Sequence, residues 1–199
     1  MIRTLTAVLL SAALLAPVAA RAEGTFADFI RAGQKPQPHG SGYRSDKSPI
    51  RKQTVRFTDV MEKGVIVVDT SERRLYYTLG NGKAIKYAVG VGREGFTWSG
   101  TDRISRKAEW PGWTPPKEMI ARVKRQEGRT LPAYMPGGKD NPLGARALYI
   151  GGRIYRIHGT NQPWTLGQAM SSGCIRMAND DVTELYGKAG VGTKVIVRQ

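Results

Sequence analysis

A mainly β domain, sandwich- or barrel-like with a few short helices, is predicted for residues 53–199 of this 199-residue chain. Three observations predict it. Short runs of β-branched and aromatic residues recur, glycine-marked turns separate them at close spacing, and helical periodicity is confined to two stretches.

Residues 1–22 read as a secretory leader. Arg3 supplies a positive start. Residues 5–16 form an apolar run within the ~7–15 expected of a leader core and too short to span a bilayer, and Ala20-Arg21-Ala22 is a small-residue cleavage site. Residues 23–52 are rich in Pro, Gly and Lys and lack apolar periodicity, which predicts a dispensable basic tether in which residues 26–32 are compatible with a short helix. His39, in this stretch, reads as a solvated side chain. From Val55 onward the pattern is β. Val65, Ile66, Val67 and Val68 make an apolar strand. Residues 75–79 and 84–89 flank Gly80-Asn81-Gly82-Lys83, and Asn-Gly favours a type I′ hairpin because both residues tolerate positive φ. Residues 117–127 predict an amphipathic helix. Residues 128–142 carry Leu131-Pro132 and Met135-Pro136-Gly137-Gly138 and read as a surface loop. Residues 148–150 and 154–157 flank Gly151-Gly152-Arg153, a second hairpin. A short turn is expected over 165–170. Asn179 reads as a helix N-cap, with Asp180 and Asp181 in the first turn and Val182, Leu185 and Tyr186 as the apolar face. Residues 195–197 form a closing strand.

The formal charge is +15 at pH 7. Such a chain is drawn to anionic polymers, and an exported protein meets those of the cell envelope rather than nucleic acid. The periplasm is the expected location, with no nucleic-acid partner and no membrane-spanning segment once the leader is removed. No glycine-rich phosphate loop with the required Lys-Ser or Lys-Thr appears, which argues against nucleotide use. With His39 read as solvated, one histidine and one cysteine fall short of the three or four ligands a zinc site needs and no further cysteine exists, so no metal or other cofactor is expected.

The lone cysteine is the sharpest chemical signal. Exported proteins usually pair their cysteines, so an unpaired one suggests an intermolecular bridge or a reactive thiol. Cys174 follows Gly173, whose freedom at positive φ suits a tight turn where amide N–H groups point at a developing oxyanion. The competing reading is a small buried hydrophobe, the usual fate of a free cysteine. His158 ends the strand 154–157 and is the one histidine placed to take a thiol proton, unless it is a packed residue bonded to backbone. The aromatic stretch from Trp110 to Pro116 either walls a groove or pins a loop. Asp102 and Glu109 read as surface charges.

His158-Gly159-Thr160-Asn161, Pro163-Trp164-Thr165-Leu166-Gly167 and Ser171-Ser172-Gly173-Cys174-Ile175-Arg176-Met177 together resemble the signature of the L,D-transpeptidase catalytic domain, the YkuD-like family. Asn141-Pro142-Leu143-Gly144 upstream and the helix starting Asn179-Asp180-Asp181-Val182 fit as well. The resemblance covers roughly residues 60–199. It implies a β-rich cysteine enzyme acting on peptidoglycan stem peptides, with Cys174 as nucleophile, His158 as base and the Gly173 and Cys174 amides as oxyanion donors. Arg176, Ser172, Gly159 and Trp164 are the implied substrate contacts; Arg176 either holds a carboxylate or braces the turn. Ser172 stands where many relatives carry a histidine, so His158 serves alone.

By the same resemblance the donor is a tetrapeptide stem, cleaved before its terminal D-Ala. A thioester forms, and the side-chain amine of a second stem attacks it to give a 3→3 cross-link. Carbapenem-type β-lactams are expected to acylate the same cysteine. Two other readings remain: a carboxypeptidase or cross-link hydrolase using the same pair with water, and a non-catalytic basic envelope-binding protein.

Overall fold

The structure, a computed structural model, describes residues 45–60, 62–92, 98–152, 154–171 and 173–199. The leader, residues 26–32, His39 and Ser172 lie outside the described residues.

Eleven strands and two helices follow in chain order: β1 (Gln53–Arg56), β2 (Ile66–Asp69), β3 (Arg74–Gly80), β4 (Lys83–Ala88), β5 (Val91–Gly92), β6 (Gly100–Glu109), α1 (Lys117–Glu127), β7 (Arg146–Ile150), β8 (Arg156–His158), β9 (Ala169–Ser171), β10 (Ile175–Arg176), α2 (Asn179–Lys188) and β11 (Lys194–Arg198). The main array runs β1-β4-β3-β2-β11-β6-β7-β8-β10, and β5 pairs with β9 in a separate two-stranded ribbon. The chain is therefore mainly β, as its residue pattern predicts. The Asn-Gly hairpin forms between β3 and β4, with φ of 52° at Asn81 and 66° at Gly82. The second hairpin joins β7 to β8, and β11 inserts parallel to β2.

The long strand β6 joins the two halves of the array. Its first residues pair with β11 and its later ones with β7. A register shift between Ile104 and Arg106 separates the two. A bulge of this kind inserts one residue and turns the following side chains to the other face. Ile104 thus enters the main core, while Arg106 stands opposite Tyr149 on the far face.

The main core gathers Ile66, Val68, Leu75 and Tyr87 from the first half with Leu148, Ile150, Ile157 and Ile175 from the second, and α2 closes it with Val182 and Leu185. A smaller cluster of Phe57, Val65, Val67, Tyr76 and Ala84 covers the opposite face of the first half, with the Phe57 and Tyr76 rings stacked at 4.5 Å. Period-two alternation explains both: Ile66 and Val68 point one way, Val65 and Val67 the other.

Residues 117–127 form a surface helix in which only Val123 is buried. The turn expected at 165–170 starts earlier, as a 3-10 turn over Pro163–Thr165, and passes into β9. Asn179 is not the N-cap: that position falls to Ala178, with no side-chain cap, and Asn179 is the first residue of α2. Its carboxamide is used elsewhere, on buried backbone around the site.

Of the stretch expected to be a tether, residues 45–52 are described, and they are held against α2. The Asp46 carbonyl accepts the Asp180 amide at 3.1 Å, the Asp46 carboxylate accepts from Asn179 Nδ2 at 2.8 Å, and Lys52 pairs with Glu184.

Candidate active site

Strands β7, β8 and β10 bring the predicted residues together. Ala147 pairs with His158, Tyr149 with Arg156, and His158 with Arg176 in the parallel β8–β10 pairing. In that parallel register Ile157 faces Ile175, so Cys174, one residue before β10, falls beside Arg156. Alternation then sorts the faces. Leu148, Ile157 and Ile175 enter the core; Tyr149, Arg156, His158, Cys174 and Arg176 share the opposite face.

His158 is buried, with 5% of its surface exposed. Its Nδ1 lies 2.6 Å from the Gly159 carbonyl. A carbonyl only accepts, so Nδ1 carries the ring proton and Nε2 keeps its lone pair. Burial pushes the His158 pKa down to about 3, with Arg156 and Arg176 acting in the same direction and the carbonyls of Gly159 and Leu143 opposing. The imidazole is therefore neutral at physiological pH.

Cys174 is half-buried and its Sγ lies 3.9 Å from the Ile154 carbonyl. Burial pushes the thiol pKa up, against the pull of Arg156 and Arg176. At rest the sulfur is a protonated thiol. The turn that presents it is tied by Ser171, whose hydroxyl donates to the Cys174 carbonyl and accepts the Gly173 N–H at 3.2 Å. Gly173 has a φ of 102°, which explains the glycine there. Its amide, an expected oxyanion donor, is thus directed at Ser171 Oγ.

Arg176 is anchored through its backbone, which exchanges hydrogen bonds with Gly90 at 2.8 and 2.9 Å. Its guanidinium lies under Gly90, where a Cβ would approach Nε to 3.1 Å. Nε and Nη2 are buried without a hydrogen-bond partner. Trp164 sits in the 3-10 turn, 47% exposed. The Trp110–Pro116 stretch is pinned: Trp113 bridges Met135, and the Asn141 side chain donates to the carbonyls of Pro111, Met135 and Pro136.

Sequence reasoning missed the residue that holds the histidine turn. Asn179 Oδ1 accepts the amides of Ala145 at 2.9 Å and Thr160 at 3.2 Å, so it ties the strand leading into β7 to the turn after His158. A side-chain carbon at Gly144 or Gly159 would collide with that oxygen, and glycine at both positions was the available signal. Arg156, Arg106 and Gly90 were also missed, because their roles depend on strand register.

A mainly β scaffold that sets one thiol and one neutral imidazole on a common sheet face defines a cysteine–histidine site. The family model of the L,D-transpeptidase catalytic domain, YkuD, matches residues 63–197, and the chain belongs to that family. It is 39% identical over 147 residues to the probable L,D-transpeptidase YbiS of Escherichia coli, covering 72% of this chain and 47% of YbiS. The chain thus spans about half the length of the curated relatives it matches first. Among solved structures, L,D-transpeptidase 3 of Mycobacterium tuberculosis, in complex with a faropenem-derived adduct, shares the fold. Its TM-score is 0.51 at 18% identity, over 68% of this chain and 60% of that one. A Brucella melitensis structure with 43% identity and a TM-score of 0.50 covers 76% of this chain and 96% of its own. That protein's name, probable carnitine operon oxidoreductase caia, denotes another activity. Among the described residues, no helix is long and apolar enough to cross a membrane.

Proposed function

We propose that this chain is a peptidoglycan L,D-transpeptidase of the cell envelope. The observation that carries the reading is the common face of β8 and β10, where His158 ends β8 and Cys174 immediately precedes the adjacent β10 within a domain of this family.

In the proposed reaction the thiol swings from the Ile154 carbonyl toward the ring, and His158 Nε2 takes its proton as the sulfur attacks. The target is the carbonyl of the stem's third residue. Arg156 and Arg176 stabilise the negative charge that develops on sulfur, which offsets the cost of forming a thiolate in a buried site. For the oxyanion, the Gly173 amide leaves Ser171 Oγ and acts with the Cys174 amide. The C–S bond forms, the bond to D-Ala breaks, and the imidazolium returns the proton to the leaving amine. A side-chain amine of a second stem then attacks the thioester. His158 accepts its proton, sulfur is released as a thiol, and a 3→3 cross-link results. Because both groups rest neutral, His158 acts as a general base and not as half of a preformed ion pair. Arg176, buried beneath Gly90, braces the turn; Gly159 and Trp164 border the donor. Export through the leader, residues 1–22, delivers the enzyme to the periplasm. Carbapenem-type β-lactams acylate Cys174 in place of the stem, as the faropenem-derived adduct of the mycobacterial protein suggests. The redox activity in the Brucella protein's name finds less support than acyl transfer in a Cys/His pair of this family.

The test is mass spectrometry of the purified protein with a tetrapeptide muropeptide, with and without added amine. An acyl-enzyme on Cys174 and a cross-linked dimer are expected. Acyl-enzyme that yields only the tripeptide makes the enzyme a hydrolase, and no acyl-enzyme at all removes the catalytic reading.

A further inference from the structure

Three cross-strand partners lead to the cysteine. Arg106, Tyr149 and Arg156 pair in register across β6, β7 and β8, and the β8–β10 register continues the row to Cys174. The Arg106 guanidinium lies 3.6 Å from the centroid of the Tyr149 ring, and that of Arg156 lies 5.4 Å from the same centroid. Two cations thus share one aromatic ring, and none of the described ion pairs includes either of them. Arg156 Nε is buried without a hydrogen-bond partner. Arg156 and Cys174 also share an acceptor: the Ile154 carbonyl takes Arg156 Nη2 at 3.4 Å and Cys174 Sγ at 3.9 Å. The guanidinium and the thiol thus meet at a single oxygen and neighbour one another directly.

A guanidinium outside the described ion pairs and set beside an aromatic face is pre-organised for a planar, two-oxygen anion. Its position selects which one. In an extended peptide, the next residue's carboxyl carbon lies roughly 3.5 Å beyond an attacked carbonyl. Arg156 and Cys174 Sγ share an acceptor and are direct neighbours, so one donor residue meets both. We infer that Arg156, seated on Tyr149 and backed by the charge of Arg106, binds the free terminal carboxylate of the donor stem, one residue beyond the carbonyl that Cys174 attacks. This rests on the transpeptidase reading above and adds a rule to it. Arg156 reads that carboxylate in its ionised form, so stems with an amidated terminus are poor donors.

The experiment compares acylation of Cys174 by a tetrapeptide stem with a free terminal carboxylate and by the same stem as its carboxamide. A charge-assisted hydrogen bond of ordinary strength predicts a wild-type preference for the acid of roughly 10–100-fold in kcat/KM. In Arg156→Gln the acid-to-amide ratio should fall to near one. Arg156→Lys should restore part of it, and Arg106→Gln, at the end of the row, should lower it severalfold. Each variant is first checked for a wild-type melting transition; should Arg156→Gln fail to fold, the Arg156→Lys and Arg106→Gln ratios decide. An unchanged ratio in the folded variants, or equal acylation of wild type by acid and amide, overturns the carboxylate assignment and leaves the transpeptidase reading standing. If neither stem acylates wild type while iodoacetamide alkylates Cys174, the transpeptidase reading fails, and this assignment with it.

Discussion

The two halves of the main sheet array share one core but differ in what lies on their other face. In the first half, both faces are apolar: Val65, Val67 and Tyr76 meet Phe57 and Ala84 on the side away from the main core. In the second half the corresponding face carries Arg106, Tyr149, Arg156, His158, Cys174 and Arg176. The first half is held by the burial that stabilises most proteins. The second buries a neutral imidazole, a protonated thiol and two arginines with unpartnered nitrogens. Such groups weaken a fold, so this half depends on the first for stability and on Asn179 for its local geometry. The proposed site lies on the sheet face left without an apolar cover.

The most severe break in that division is expected at Cys174, the proposed nucleophile. Cys174→Ala should abolish acyl-enzyme formation while leaving the melting temperature close to wild type, because the thiol is half-buried and its one described acceptor is a distant carbonyl. Mass spectrometry with a stem peptide and a thermal melt read both.

His158→Gln should slow acylation by roughly 10²–10⁴-fold, the usual worth of a positioned base. It should also change the acid limb of stability. Folded His158 stays neutral to about pH 3, whereas the unfolded side chain protonates near 6.5. The unfolded state therefore binds the extra proton between those values. The His158 contribution is complete above pH 6.5 and is lost as pH falls toward 3. Asp181 slopes the other way. Burial raises it from 3.8 to about 6, so its contribution is complete below 3.8 and lost as pH rises through 6. Wild type should lose about 1.4 kcal/mol per pH unit relative to the glutamine variant on going from 6.5 to 4, read by urea unfolding at several pH values.

Asn179→Ala tests the local tie. It leaves the Ala145 and Thr160 amides without their acceptor in a buried setting. The expected loss is about 2–4 kcal/mol in urea unfolding, with acylation slowed because the His158 turn loosens. A loss confined to stability would show that the turn keeps its shape without the carboxamide.

The smallest effect belongs to residues 45–52. Asp46→Ala removes the acceptor of Asn179 Nδ2, a partly buried bond worth about 1 kcal/mol. Starting the chain at residue 53 removes the Lys52–Glu184 pair as well. Its melting temperature should fall by a few degrees relative to a chain starting at residue 45. Equal melting of the two would show that this segment contributes nothing to the fold.

Where local rules govern, the sequence was legible. The Asn81-Gly82 hairpin, the apolar β2 and β11, and the apolar face of α2 follow from residue type and spacing. Cys174 and His158 stand out as candidates because each is chemically rare in this chain. Strand β6 was not found: apart from Ile104 it is polar, and the bulge breaks its alternation. Asn179 satisfied the local rule for an N-cap, yet buried amides far along the chain claimed its oxygen. Arg156 sits in an unremarkable strand sequence and acquires a role only when the β8–β10 register places it beside Cys174.

The protonated state of Cys174 bears on how the chain withstands peroxides. Peroxides attack the thiolate, so a thiol held above its ordinary pKa reacts slowly with them. The chain holds one cysteine, and a sulfenic acid formed on it has no second thiol in the same molecule to condense with and open a route to reduction. Further oxidation would be permanent. A thiol whose pKa burial raises spends less of its lifetime in the form that oxidants consume.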